Sequence, residues 1–343
     1  MAVPDARTWE HSLLMKVCMI GCGDWAQQCH GPAQRKLSAS HPDVMLAACC
    51  DIDPGSSRRY REAFGFERHY AEMRKMLSTE KPDAVVLAVP PTATCAAASL
   101  VLELGFPLLL EKPPGMSPVE LRQLIAAQEK GGARAQVAFN RHYMPVMQRA
   151  LELLDSSFAP ESVRRVEYDM IRFERWDPDF STTAIHALDA ALFLARSPFR
   201  AAAISFEPQR RGHLEATDVT VEAECISGSK VFVNIRPVST NNSDRARIHG
   251  VDQSLVLKIP VSPQSDGDGC VEHWRSGALA SSFSDHDVGA VERLGVLGET
   301  EAFLNAVRSS APFSPRLEDC RQQVALMEAV RNHRSGAFQF KAV

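Results

Sequence analysis

The sequence predicts an α/β protein, with a doubly wound parallel sheet at the N-terminus and a second α+β domain whose strands form an antiparallel or mixed sheet. Three observations carry this. Short apolar runs alternate with amphipathic helical stretches over about the first 140 residues. A glycine-rich turn joins the first run to the first helical stretch. After residue 200, several strand-like runs follow one another directly, and strands without crossover helices between them pair antiparallel or in a mixed sheet.

In order, Leu13 to Ile20 is an apolar run that ends in glycines, as suits a buried parallel strand. A helical stretch over about Trp25 to Ser38 follows. Val44 to Cys50 is a second strand, ending at Asp51. Pro54 to Phe64 is a charged helix, and Met73 to Leu77 is helical too. Ala84 to Val89 is a third strand, closed by Pro90 and Pro91. Thr94 to Leu104 is a helix ended by Gly105. Pro107 to Leu110 is a fourth strand, closed by Glu111-Lys112-Pro113-Pro114. Pro118 to Lys130 is a helix capped by Gly131-Gly132, and Ala135 to Phe139 is a further strand.

The pattern then changes. Val146 to Leu154 is a helix, Val163 to Phe173 alternates like a strand, and Ala184 to Leu194 is an apolar helix. Strand-like runs follow at Ala201 to Phe206, Val219 to Ile226, Lys230 to Ile235, Arg245 to His249 and Ser254 to Ile259. Ser262 to Gly269 is a polar loop. The chain ends with helical stretches near Gly298 to Val307 and Leu317 to Arg331. The expected domains are 13–139 and 140–343, and residues 1 to 12 carry little apolar pattern.

Composition narrows the class. A chain of 343 residues exceeds one ordinary core and fits two domains. Hydrophobic residues make up 45% and charged residues 23%, an ordinary globular balance. A net charge of −4 gives no electrostatic case for nucleic acid. No run reaches the roughly 18 apolar residues that cross a bilayer. Met1 to Glu10 lacks the basic and apolar regions of a secretion signal, so the expected location is the cytoplasm. Nine scattered cysteines without C-x-x-C spacing read as reduced, mostly buried thiols. The histidines at 186, 213, 249, 273, 286 and 333 show no H-x-x-x-H pair, so no metal site is expected.

Gly21-Cys22-Gly23-Asp24-Trp25-Ala26 reads G-x-G-x-x-A between the first strand and the first helix. Gly21 permits the tight turn, Gly23 lets the backbone approach a pyrophosphate, and Ala26 allows close packing of helix on strand. The helix N-terminus offers N–H groups and a positive dipole end to phosphate. Asp51, at the end of the second strand, can accept both ribose hydroxyls of an adenosine and would repel a 2′-phosphate. With Ile52 next to it, this favours NAD over NADP. Ser56, Ser57, Arg58 and Arg59, a little further on, could reach a phosphate and keep NADP open.

With the glycine turn, Asp51, Pro90-Pro91 and Glu111-Lys112-Pro113 in order, the sequence resembles the Gfo/Idh/MocA family of oxidoreductases over nearly its whole length. His186 followed by Asp189 on a helix is a second sign. The resemblance implies a Rossmann domain, a C-terminal domain on a large, mostly antiparallel sheet, and a homodimer or homotetramer formed through that sheet. It implies a small-molecule substrate with a hydroxyl or keto group, a sugar or cyclitol, while net charge and the lack of a long apolar run leave neither nucleic acid nor membrane as an expected partner. It makes Lys112 and His186 the catalytic pair. An ammonium at Lys112 can bond the reacting oxygen and stabilise alkoxide charge. Pro113 would fix its backbone. An imidazole with a pKa near 6.5 can take the hydroxyl proton and return it.

The candidate cofactor residues are thus Gly21, Gly23, Asp24, Trp25, Ala26, Asp51, Ile52, Pro90, Glu111, Lys112 and Asn140. Arg141, Tyr143, Trp176, Thr182 and Asp189 are weaker substrate candidates. Arg141 could bind a phosphate or carboxylate, or pair with an acid. Trp176 suits stacking on a sugar face or ordinary packing. Many family members carry Asp four residues before the histidine, where this chain has Thr182, and often a histidine near Cys95. Either His186 works with Lys112 alone, or Glu174, Asp177 or Asp179 supplies the acid, or dehydrogenase activity is weak or lost. The alternatives left open are a non-catalytic nucleotide-binding protein, and a glycoside elimination or hydrolysis assisted by transient NAD reduction.

Overall fold

A computed structural model describes residues 14–159, 162–177, 179–261 and 267–340. Leu13 and most of the predicted 262–269 loop lie outside them. The chain divides into two compact units. The first comprises 1–111, 124–136 and 300–314, and the second 112–123, 137–299 and 315–343.

The first unit is built on a six-stranded sheet. Its strands are β1 (Met15–Ile20), β2 (Val44–Cys50), β3 (Arg68–Tyr70), β4 (Ala84–Leu87), β5 (Leu108–Glu111) and β6 (Ala135–Ala138), in the order β3-β2-β1-β4-β5-β6. This is the 3-2-1-4-5-6 order of dinucleotide-binding sheets. The β1–β2, β1–β4, β2–β3 and β4–β5 pairs are parallel. Every residue of β4 and β5 is buried, as a parallel sheet covered on both faces requires. The crossover helices are α1 (Gly31–Ser40), α2 (Pro54–Phe64), α3 (Met73–Glu80), α4 (Pro91–Glu103) and α5 (Pro118–Gly131).

Helix α2 shows how local chemistry sets the boundaries. Asp53 accepts hydrogen bonds from the Gly55 and Ser56 amides, Pro54 fixes the first turn, and Gly65 closes the helix at φ 84°. The predicted helix from Trp25 differs more. It opens as a π turn over Ala26–His30, and only then continues as α1. Segment 300–314 returns to this unit late in the chain. Phe303 is buried and meets Phe313 edge to face at 5.3 Å. The Arg134 guanidinium lies 4.6 Å from the Phe313 ring, and its Nη1 donates to Ala311 O at 2.8 Å.

The second unit contributes α6 (Pro145–Ser157), β7 (Arg165–Phe173), α7 (Ser181–Ala195), β8 (Phe199–Arg211), β9 (Leu214–Cys225), β10 (Lys230–Ser239), β11 (Ser243–His249), β12 (Gln253–Ile259), β13 (Cys270–Arg275) and β14 (Ala278–Ser284). Then come α8 (Ala290–Arg293), α9 (Val296–Ser309, crossing into the first unit), α10 (Arg321–Arg331) and β15 (Gly336–Gln339). The nine-stranded sheet runs β14-β13-β12-β11-β7-β10-β9-β8-β15, and β7–β10 is its parallel pair. The other adjacent pairs are antiparallel. Along β7 burial alternates, so Val166, Tyr168, Met170 and Arg172 share the inward face. Helix α7 packs on β7 and β10, and α10 on α7.

Four strands go beyond the sequence reading: β3, β13, β14 and β15. Of these β3, β14 and β15 are edge strands, short or polar, with no apolar alternation to mark them. All nine cysteines are free thiols, and seven are buried. No helix among the described residues is long and apolar enough to cross a membrane.

Candidate functional site

In the first unit, the glycine turn is fixed from several sides. Gly21 has φ +89°, and a Cβ there would lie 2.1 Å from Ala88 O. Only glycine fits this close approach to the end of β4. Gly23 differs: a Cβ there would meet nothing within 4 Å, so open space stands over its backbone. The first bond of the following helix runs from Gln27 N to Gly23 O at 2.9 Å. The amides of Asp24, Trp25 and Ala26 therefore have no partner within the helix. Gly23, Asp24 and Trp25 are exposed, while Ala26 is buried against the sheet.

Asp51 ties the turn to β2. Its Oδ2 accepts from Cys22 N at 2.8 Å and its Oδ1 from Asp53 N at 2.9 Å. Each oxygen keeps a further lone pair, and the residue is only half-buried. Ile52 is 94% exposed beside it. The residues that kept NADP open are largely engaged. Ser56 Oγ donates to Asp53 Oδ2 at 2.7 Å, Arg59 Nη2 donates to Ser56 Oγ at 3.0 Å, and Ser57 is fully buried. Pro90 is exposed at the head of α4. An open backbone glycine, unpaired helix amides and a carboxylate at the end of β2 form a set that fits a dinucleotide.

The π turn gives this unit its least expected feature. Residues five apart share a face where hydrogen bonds run i to i+5. Trp25 Nε1 donates to Glu111 Oε1 at 2.7 Å, and His30 Nε2 lies 2.7 Å from the same oxygen. His30 is fully buried and Glu111 is 9% exposed. Glu111 is thereby held at the very end of β5.

One peptide bond later the chain enters the second unit. Lys112-Pro113 is a cis peptide. Lys112 Nζ donates to Thr182 O at 3.2 Å, in the first turn of α7. His186 follows one turn on. It is 8% exposed, and its Nδ1 is buried without a hydrogen-bond partner among the described residues. Burial, and then the positive charges of Arg141, Lys112, Arg172 and His142, push its pKa well below the usual 6.5. The ring is therefore neutral at neutral pH. Phe139 stands edge-on to it, with centroids 6.4 Å apart.

The other sequence candidates of this unit are placed as follows. Asp189 is 1% exposed, and its carboxylate goes to His142 (Nε2–Oδ2 2.8 Å) and Gln323 (Nε2–Oδ1 3.2 Å), so it is engaged within the fold. His142 in turn stacks on Phe193 at 3.8 Å. Asn140 is buried, and its Nδ2 donates to Leu294 O at 2.8 Å. Burial, with Glu299 nearby, pushes the Tyr143 hydroxyl above its ordinary pKa. Trp176 Nε1 donates to Glu174 Oε2 at 3.1 Å, and the Arg211 guanidinium lies 5.0 Å from its ring. The acids upstream of α7 are all engaged. Glu174 pairs with Arg211, Asp177 with Arg175 at 2.6 Å, and Asp179 Oδ1 accepts from Ser181 N at 2.9 Å.

Arg141 meets an acid the sequence could not point to. Asp244 on β11 pairs across from Met170, so Tyr168 and Arg172 are its diagonal neighbours on the inward face of β7. Arg172 Nη1 donates to Asp244 Oδ1 at 2.6 Å. Arg141 Nη2 and Tyr168 Oη donate to Oδ2 at 2.9 and 2.7 Å. Asp244 is fully buried. Burial alone would raise its pKa, but the Arg172 and Arg141 guanidiniums outweigh that and hold it below the ordinary carboxylate range. The described residues hold no group of three or more His, Cys, Asp and Glu arranged for a metal.

The sheet order and the glycine turn define a dinucleotide-binding protein. Residues 15–139 match the model of the oxidoreductase family with an NAD-binding Rossmann fold, Gfo/Idh/MocA. Over this segment the chain is similar to members of the Gfo/Idh/MocA family. It is 29% identical over 200 residues to D-apiose dehydrogenase of Paraburkholderia graminis, covering 55% of this chain and 52% of that one. Inositol 2-dehydrogenase 1 of Saccharopolyspora erythraea is 28% identical over 219 residues, 58% and 63% of the two chains. The chain thus spans about half the length of the apiose enzyme. A levoglucosan dehydrogenase solved with NADH and levoglucosan superposes with a TM-score of 0.78 at 17% identity, over 95% of this chain and 99% of that one, which shows the shared fold.

Proposed function

We propose that this protein is an NAD-dependent dehydrogenase or ketoreductase acting on a hydroxyl or keto carbon of a sugar, cyclitol or sugar-like substrate. The observation that carries the reading is the pairing of Lys112 with Thr182 O, one helical turn from a buried, neutral His186. The relatives named for apiose and inositol support the substrate class.

Gly23, the Asp24–Ala26 amides and Asp51 would hold the dinucleotide by its pyrophosphate and adenosine ribose. NAD supplies the hydride acceptor. The chain's own work is proton handling and charge stabilisation. Lys112 bonds the reacting oxygen and stabilises its developing negative charge. His186, uncharged at neutral pH, takes the hydroxyl proton. Its Nδ1 is sealed, which leaves Nε2 for that exchange. Thr182 provides a carbonyl to Lys112 and no carboxylate, so proton transfer rests on His186 without an acid four residues upstream.

The test is absorbance at 340 nm with NAD and a panel of aldoses and cyclitols, on wild type, His186→Asn and Lys112→Met. At least one substrate should turn over. Loss of general-base catalysis should then lower kcat by about 10²–10⁴-fold in His186→Asn while NADH binding persists. NADH binding without turnover of any member would overturn the dehydrogenase reading.

A further inference from the structure

The Arg141–Asp244–Arg172 cluster carries more positive charge than it needs. Two guanidiniums meet one carboxylate, and Tyr168, the fourth member, donates a neutral hydroxyl. Burial pushes that hydroxyl above its ordinary pKa, with the Asp244 charge acting in the same direction, so it stays protonated. One unit of positive charge is left over on side chains that are 5% and 6% exposed. An uncompensated buried charge is costly, and proteins pair such charges or give them a ligand.

The donors themselves are not used up. Arg141 directs Nε and Nη2 to Asp244. Arg172 directs Nη1 to Asp244 and to its neighbour's carbonyl, Ile171 O. Among the described residues, Arg141 Nη1 and Arg172 Nη2 make no hydrogen bond, and neither atom is sealed from solvent. Helix α7, which carries His186, packs on β7, which carries Arg172, and on the turn Asn140–Tyr143, which carries Arg141, and the charges of both arginines and of Lys112 lower the proton affinity of His186. His186 brings a sealed, unpartnered Nδ1 to the same neighbourhood.

From this we infer that the substrate carries an anionic group, a carboxylate or phosphate, which the free guanidinium nitrogens of Arg141 and Arg172 bind while Asp244 and Tyr168 hold the two arginines in place. This rests on the dehydrogenase reading and narrows its substrate to an acidic polyol. Guanidinium donors suit planar, two-point recognition of such oxyanions. Asp244 acts through the arginines and is a positioning residue.

Calorimetric titration tests it, in the presence of saturating NADH, with D-gluconate and D-glucuronate as carboxylates, D-glucose 6-phosphate as phosphate, and D-glucose and D-sorbitol as neutral counterparts. At least one acid should bind tenfold or more tightly than its neutral counterpart, and which acid wins distinguishes carboxylate from phosphate. In Arg172→Gln the ratio of acid to neutral binding should fall at least tenfold, and Arg172→Lys should recover part of it. The wild-type comparison stands alone if Arg172→Gln does not fold. Equal binding of acids and neutrals, or no binding of any acid, overturns the proposal while NADH still binds. Failure of NADH itself to bind would strike the dehydrogenase reading instead.

Discussion

Gly21 and Gly23 sit two residues apart in one turn, yet the structure gives alanine opposite consequences at the two positions. At Gly21 the backbone has φ +89°, and the new Cβ would lie 2.1 Å from Ala88 O and 2.7 Å from Ala88 C. A left-handed conformation costs an alanine about 1–2 kcal/mol. Overpacking against backbone that must move adds about 1–3 kcal/mol. Gly21→Ala should therefore lose about 2–5 kcal/mol, a fall in Tm on the order of 5–15 °C. At Gly23 the Cβ meets nothing within 4 Å, so Gly23→Ala should change stability by no more than about 0.5 kcal/mol. Its Cβ would occupy the open space in which a pyrophosphate approaches the backbone. Losing one charge-assisted hydrogen bond there costs about 1.5–3 kcal/mol, or roughly 10–150-fold in Kd for NADH. Thermal melting and nicotinamide fluorescence titration read the two effects separately. An unchanged NADH Kd in Gly23→Ala would refute the assignment of this turn to phosphate, and an unchanged Tm in Gly21→Ala would refute the packing argument.

Two further outcomes follow from the same geometry. Wild type should bind NADH well and NADPH much more weakly, and Asp51→Ala should narrow the gap, because the carboxylate that repels a 2′-phosphate is gone; equal binding of both by wild type would count against Asp51 as the discriminator. His186 should make folding pH-dependent. Its folded pKa lies below the unfolded value near 6.5, so the unfolded chain binds a proton that the folded chain refuses. Its contribution is at its full value above pH 6.5 and is lost as pH falls toward the folded pKa, by up to about 1.4 kcal/mol per pH unit. Urea unfolding at pH 7.5 and 5.5 should show a smaller acid-side loss in His186→Asn than in wild type, and an identical loss would contradict a neutral His186.

What the sequence disclosed was local. Helix α2 could be bounded residue by residue because its start and stop signals, Asp53-Pro54 and Gly65, lie within the helix's own neighbourhood. The glycine turn and Asp51 were legible because strand, turn and acid succeed one another in sequence. The π turn was not, since an apolar period read at 3.6 residues carries no mark of one wide turn, and the convergence of Trp25 and His30 on Glu111 depends on it. The Asp244 cluster was equally hidden. Asp244 lies 103 residues from Arg141 and 72 from Arg172, and strand register alone brings them together. Asp189 looked like a companion of His186 by helical spacing, but His142 and Gln323 claim its carboxylate.

The late return of segment 300–314 bears on how the protein is born. The ribosome releases the strands of the first unit by residue 138, but Phe303 and Phe313 emerge only some 160–175 residues later. At synthesis rates of about 5–20 residues per second, that is an interval of roughly 10–35 s. For that time the apolar surface that the two phenylalanines complete stands bare on the nascent chain. The first unit to be translated is thus among the last to be finished, because its closing segment follows most of the second unit in the chain.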